Sequence, residues 1–135
     1  MLAHRVSLVV LVCAAAGATS LRAQTSSPAA WLATPASVLK SALRVALAAQ
    51  DRSRAVHAAY APTTEALGLR LEPGVRVDIL RATSVGWQAR ALYQTQPGRS
   101  CVVFVGSLEG AEAPRTDGDH EMAGEAGIPL CDRMR

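Results

Sequence analysis

Residues 73–79 read Pro-Gly-Val-Arg-Val-Asp-Ile. Proline presets one turn dihedral and glycine supplies the other, so Pro73-Gly74 predicts a tight reversal. After it, Val75, Val77 and Ile79 alternate with Arg76 and Asp78, which puts three branched side chains on one side of a strand and the charges on the other. A strand with one apolar side needs a second layer to cover that side.

Downstream, the same period recurs. Trp87, Ala89, Ala91 and Tyr93 alternate with Gln88, Arg90 and Leu92, Pro97-Gly98 supplies the next turn, and Cys101 to Val105 predicts a third strand. The connections are short and contain Gly or Pro, so neighbouring strands are expected to pair antiparallel as a meander. Trp87 and Tyr93 share a parity and read as core residues between sheet and helix.

Upstream, the period changes from 2 to 3.6. Thr34 offers a capping oxygen, and Pro35 suits the first helical position. Leu39, Leu43, Ala46 and Gln50 recur at helical spacing with Val38, Ala42, Val45 and Ala49 beside them, and Pro62 forbids continuation. A helix over 35–59 is expected. Arg44, Arg52 and Arg54, with Asp51 among them, read as its solvated side. Glu65 to Leu69 predicts a further short helical turn. The fold class is therefore α+β: one amphipathic N-terminal helix packed on a small antiparallel meander sheet of three to four strands.

The 135-residue length favours one domain, and aromatics make up only 4% of the chain, so the core is expected to be thin. Met1 to Arg5 is short and cationic, Val6 to Ala18 is apolar, and Ala23 is small. That order is a secretory signal, with cleavage expected before Gln24. A membrane anchor needs about 20 apolar residues, and Thr19, Ser20 and Arg22 interrupt this run short of that. Acylation of Cys13 would want a small residue where Val12 stands. The organisation expected is a signal over 1–23, a flexible lead-in over 24–33 containing Trp31, and a single domain over 34–135, exported to periplasm, cell surface or medium with no membrane span left after cleavage.

Loss of Arg5 and Arg22 with the signal lowers the formal charge of +3 by two. A near-neutral chain without a clustered cationic face gives no reason to expect nucleic acid as a partner. Cys13 goes with the signal as well, leaving Cys101 and Cys131, and two cysteines in an oxidising compartment are expected to form one bridge. Closing a loop of roughly 30 residues contributes about 3 to 4 kcal/mol in the chain-entropy description. Between the cysteines, residues 107–127 form a long acidic loop in which Glu109, Glu112, Asp117, Asp119, Glu121 and Glu125 are opposed locally only by Arg115. Ile128 to Cys131 is expected to return as a short edge strand.

Catalytic chemistry is not expected. His4 falls in the signal, leaving His57 on the helix and His120 in the loop, and Ser100 has no strand-to-helix elbow around it. Gly106, Gly110, Gly118, Gly124 and Gly127 precede no helix that could hold a phosphate, and no cofactor is implied. Asp117, Asp119 and Glu121, with His120 between them, are candidate ligands for a hard cation such as calcium, at a spacing unlike an EF-hand.

Leu43-Arg44-Val45-Ala46-Leu47-Ala48-Ala49-Gln50, the run Pro73-Gly74-Val75 with Val77 and Ile79, Gly86-Trp87, Cys101-Val102-Val103-Phe104-Val105-Gly106 and the terminal Cys131-Asp132 follow one another in an order that resembles the globular head of type IV pilins and pseudopilins. The resemblance covers about Val38 to Asp132. It implies a helix on a minimal sheet, with the two cysteines closing an exposed carboxy-terminal loop. The long apolar amino-terminal helix of those subunits has no counterpart here, where a removable signal stands instead. The resemblance implies action by protein contact in the cell envelope or at the surface, with envelope proteins or the pilus and secretion machinery as partners. The other expectation is a small ligand- or cation-binding module using the acidic loop over 109–125.

Overall fold

A computed structural model describes residues 33–135 of the chain. The expected signal with Cys13 and His4, and the lead-in as far as residue 32, Trp31 included, lie outside the described residues. Helix α1 spans Pro35–His57, a single turn α2 spans Thr64–Leu67, and the strands are β1 (Val75–Ala82), β2 (Gly86–Tyr93), β3 (Ser100–Gly106) and β4 (Leu130–Cys131). All four strands form one antiparallel sheet in the order β1-β2-β3-β4. The expected α+β meander is the fold observed.

The start of α1 follows from its cap. The Thr34 hydroxyl accepts the Ser37 N–H at 3.2 Å, and Pro35 occupies the first turn, where no amide hydrogen is needed. Leu39, Leu43 and Ala46 face the sheet and meet Val77, Trp87, Ala89, Ala91, Cys101 and Val103. Alanine at 89 and 91 matters here, because small side chains at the middle of β2 let an alanine-rich helix approach closely without voids. Trp87 is the largest of the fully buried side chains, and the Tyr60 ring packs against it at 6.3 Å between centroids. Tyr93 packs at the edge of the same cluster.

Gln50 is fully buried on the apolar side of α1. Its amide donates to the Ala61 carbonyl at 2.8 Å and accepts from the Ala61 N–H at 2.7 Å. Both backbone groups of a buried residue are thus satisfied by one side chain, which fixes the chain where it leaves the helix.

The helix stops two residues before the expected end. Ala58 takes φ 58° and ψ 16°, and its N–H bonds back to the Arg54 carbonyl. That left-handed cap is natural for glycine and costs an L-residue of this size about 1 kcal/mol. Ala58→Gly is therefore expected to raise the melting temperature by about 4–8 °C in a domain of this size. A calorimetric melt at or below that of the parent chain would refute the assignment.

A second difference concerns β3. Its first four residues, Ser100 to Val103, are all buried. Alternate burial would mark a strand covered on one side only, so β3 is covered on both. Cys101 and Val103 face α1, and Ser100 and Val102 face the acidic segment. Residues 107–127 are therefore a second covering layer and not the solvated loop their composition predicts, with Pro114, Thr116 and Ala123 themselves buried.

Candidate functional site

Cys101 and Cys131 are bonded as a disulfide, 30 residues apart in sequence. They lie directly opposite each other in the register of β3 and β4. The next pair along exchanges a backbone hydrogen bond, Asp132 N–H to Ser100 carbonyl at 2.9 Å. The cysteines therefore occupy the adjacent non-hydrogen-bonded position, where strands come closest, and their Cα atoms are 4.0 Å apart. The bridge anchors a two-residue edge strand that hydrogen bonds alone would hold weakly.

Within the segment it closes, Arg115 and Met122 pair as an isolated antiparallel bridge. The Thr116 N–H donates to the Glu121 carbonyl and the Ala123 N–H to the Pro114 carbonyl, each at 2.9 Å. The Thr116 hydroxyl accepts the Glu121 N–H at 3.1 Å, and Arg115 donates to the His120 carbonyl at 3.2 Å. Residues 114–123 thus make a small hairpin whose tip carries Asp117, Gly118, Asp119 and His120, the last at φ 56°.

Asp132 holds that tip to the sheet. Only 3% of it is exposed, and its carboxylate accepts the N–H groups of Ser100 at 2.7 Å, Gly118 at 2.9 Å and Asp119 at 2.6 Å. Burial pushes the carboxyl up, yet the Asp119 amide, the Thr116 hydroxyl and the amides of Ser100 and Gly118 outweigh burial and hold it below the usual carboxylate range. The Ser100 hydroxyl accepts the Asp117 N–H at 2.8 Å, adding a fourth tie.

Around this knot the arginines of the sheet take up the acids of the loop. Arg90 on β2 donates to Asp117 at 3.1 Å and to Asp78 on β1 at 3.3 Å, and Arg76 meets Asp78 at 3.1 Å. The row Asp117, Arg90, Asp78, Arg76 runs across three elements with alternating sign, which is attractive at every step. Burial works against the Arg90 charge, but Asp117 and Asp78 more than compensate and raise its pKa further. Arg99 donates to Asp119 at 2.7 Å and lies against Gly118, where a Cβ would come within 2.6 Å of its guanidinium. The other Asp119 oxygen accepts the Arg133 N–H at 2.8 Å, the largest of the effects that lower its pKa.

The candidate cation ligands are therefore not gathered around a common point. Asp117 turns to Arg90 and Asp119 to Arg99 and Arg133, while Glu121 is exposed beyond them. Among the described residues, no group of three or more His, Cys, Asp or Glu side chains is arranged to hold a metal ion. His57 sits in the exposed last turn of α1 and His120 in the exposed loop tip. An open groove of about 880 Å³ lies elsewhere, between α1 and the segment leading into β1, with Val38, Ala42, Val45, Leu71 and Tyr93 in its walls.

Sequence reasoning found the bridge and missed Asp132, Ser100, Arg90 and Arg99. One signal was available: the loop carries six acids against Arg115, while Arg90 and Arg99 face away from the core with no local partner. Charge balance between distant segments could have joined them. Among the described residues, no helix is long and apolar enough to cross a membrane. No protein-family model matches the sequence, and no curated protein matches it either.

Proposed function

We propose that this chain is an exported, pilin-head-like domain that acts by protein contact in the cell envelope or at the cell surface, with the disulfide-bounded layer as its contact surface. One observation carries the reading: the hairpin tip of the layer over 107–127 is tied down from beneath by Asp132, Arg90 and Arg99, and the outer side of the layer is left to solvent. Glu112, Glu121 and Glu125 are exposed there, Glu109 pairs loosely with Arg81 at 3.5 Å, and Met122 and Ile128 are 47% and 54% exposed. Apolar side chains set among carboxylates on a preordered loop lose little entropy on binding, which is what a contact surface needs. The order of helix, meander and terminal cysteine pair supports the likeness to a pilin head, and the disulfide is consistent with an oxidising compartment.

A photo-crosslinking residue placed at position 122 in living cells tests this. The expected result is a discrete adduct with an envelope protein that disappears when Glu121 and Glu125 are changed to lysine. Equal adducts from position 56 on the exposed side of α1, or an adduct indifferent to the charge reversal, would reject the surface. Mass spectrometry of the exported form is expected to show Gln24 as the first residue, and a mass that retains Met1 would reject export with cleavage.

A further inference from the structure

The sequence contains no asparagine, and Asp117-Gly118 is its single Asp-Gly pair. An aspartate followed by glycine is the pair most open to attack by the backbone on its own side chain, because glycine leaves the attacking nitrogen unhindered. In that reaction the Gly118 nitrogen bonds to Asp117 Cγ, and the carboxyl oxygen departs as water with the amide proton and one more. A five-membered succinimide remains. Water then opens the ring: cleavage at the side-chain carbonyl restores aspartate, and cleavage at the former main-chain carbonyl gives isoaspartate, in which the main chain runs through Cγ.

Both reacting groups are engaged by other partners here. The Gly118 N–H donates to Asp132 Oδ2 at 2.9 Å, and the Asp117 carboxylate is turned onto the sheet by Arg90 at 3.1 and 3.4 Å. The Asp117 N–H is held as well, by the Ser100 hydroxyl at 2.8 Å. Attack requires the Gly118 N–H and the Asp117 carboxylate to be released together, against a backbone that the Ser100 contact also restrains, so the reaction reports release of the loop tip from the sheet.

We infer that Asp117 is a latent isoaspartate modification site, silent while the tip is seated on Asp132 and Arg90 and exposed to modification when the tip lifts. Conversion adds a carbon to the main chain between residues 117 and 118. The amides of Gly118 and Asp119 then cannot reach Asp132 together, so the modified tip does not reseat. A reversible opening is thereby turned into a lasting change at the base of the acidic layer, independent of what that layer binds.

The test ages the intact, oxidised chain at neutral pH and 37 °C and measures isoaspartate at position 117 by peptide mapping. The reference is the same chain reduced and held unfolded in guanidinium. The folded chain is expected to convert at least about tenfold more slowly, as a seated tip requires, and a rate within about twofold of the unfolded reference would overturn the inference. Asp132→Asn, checked for a cooperative melt, is expected to convert faster than the parent by several-fold. A folded Asp132→Asn chain that converts at the parental rate would remove Asp132 from the account. Should that variant not fold, the comparison of folded with unfolded parent chain decides alone.

Discussion

Replacing Asp132 with alanine is expected to lower the stability of the domain by about 3–5 kcal/mol, since three buried or half-buried N–H groups lose their acceptor at about 1–3 kcal/mol each. For a domain of this size the melting temperature should fall by roughly 15–25 °C. The loss has a direction in space. The amides of Ser100, Gly118 and Asp119 point at this carboxylate from two separate segments, and hydrogen exchange at Gly118 and Asp119 should accelerate more than exchange in β1 or β2. The same contacts fix the response to acid. Asp132 and Asp119 have folded pKa values below those of the unfolded chain, so their stabilisation is complete above the unfolded values near pH 4 and is lost as pH falls through the folded ones. The parent chain should therefore loosen at the loop tip below about pH 4, and Asp132→Ala should lack the part of that transition due to Asp132. A melting temperature within a few degrees of the parent, with unchanged exchange at residues 118 and 119, would show that the carboxylate does not hold the layer.

Local physics made the helix and the first three strands readable. Thr34-Pro35 fixes a start, Pro62 forbids continuation, and the alternation at Val75, Val77 and Ile79 admits only a strand with one buried side. The cysteine count predicted the bridge for a similar reason, because two thiols leave one pairing. What stayed hidden depends on contacts distant in sequence. Six acids beside one arginine read as a solvated loop when only neighbours in the chain are counted. Asp78, Arg90 and Asp117 are spread over 39 residues and become a row of alternating charges only when β1, β2 and the hairpin tip are aligned. Asp132 gave no local sign of its role, since a carboxylate near a chain end is ordinarily exposed, and it is the register of β4 against β3 that carries it inward. Gln50 was caught between its polar side chain and its apolar position, and the position prevailed because the Ala61 backbone satisfies its amide.

A single methyl group at Gly86 is expected to cost more than any surface charge. Gly86 opens β2 opposite Gly106 on β3, and the two segments run so close there that the Ser107 N–H donates across to the Val85 carbonyl at 2.9 Å. A Cβ at position 86 would fall on the Ser107 carbonyl oxygen and within 2.9 Å of the Ser107 nitrogen. Those atoms are backbone, so no side chain can swing aside, and relief requires β3 to move away from β2 at the residue next to Trp87. Since Trp87 fills the centre of the core, separation there unpacks α1 from the sheet and also shifts the strand on which the covering layer rests. Gly86→Ala should therefore cost more than about 4 kcal/mol and leave little folded protein at 37 °C. Gly124→Ala is the matched control: nothing lies within 4 Å of its added methyl, and its stability should stay within about 0.5 kcal/mol of the parent. Circular dichroism melts of the two variants side by side decide the matter, because a Gly86→Ala chain melting within a few degrees of Gly124→Ala would mean that β2 and β3 do not meet as closely as described. The strands' closeness at this end is also what sends the chain from Gly106 back over the outer side of the sheet, so the acidic layer depends on a glycine pair nearly as much as on the carboxylate that pins its tip.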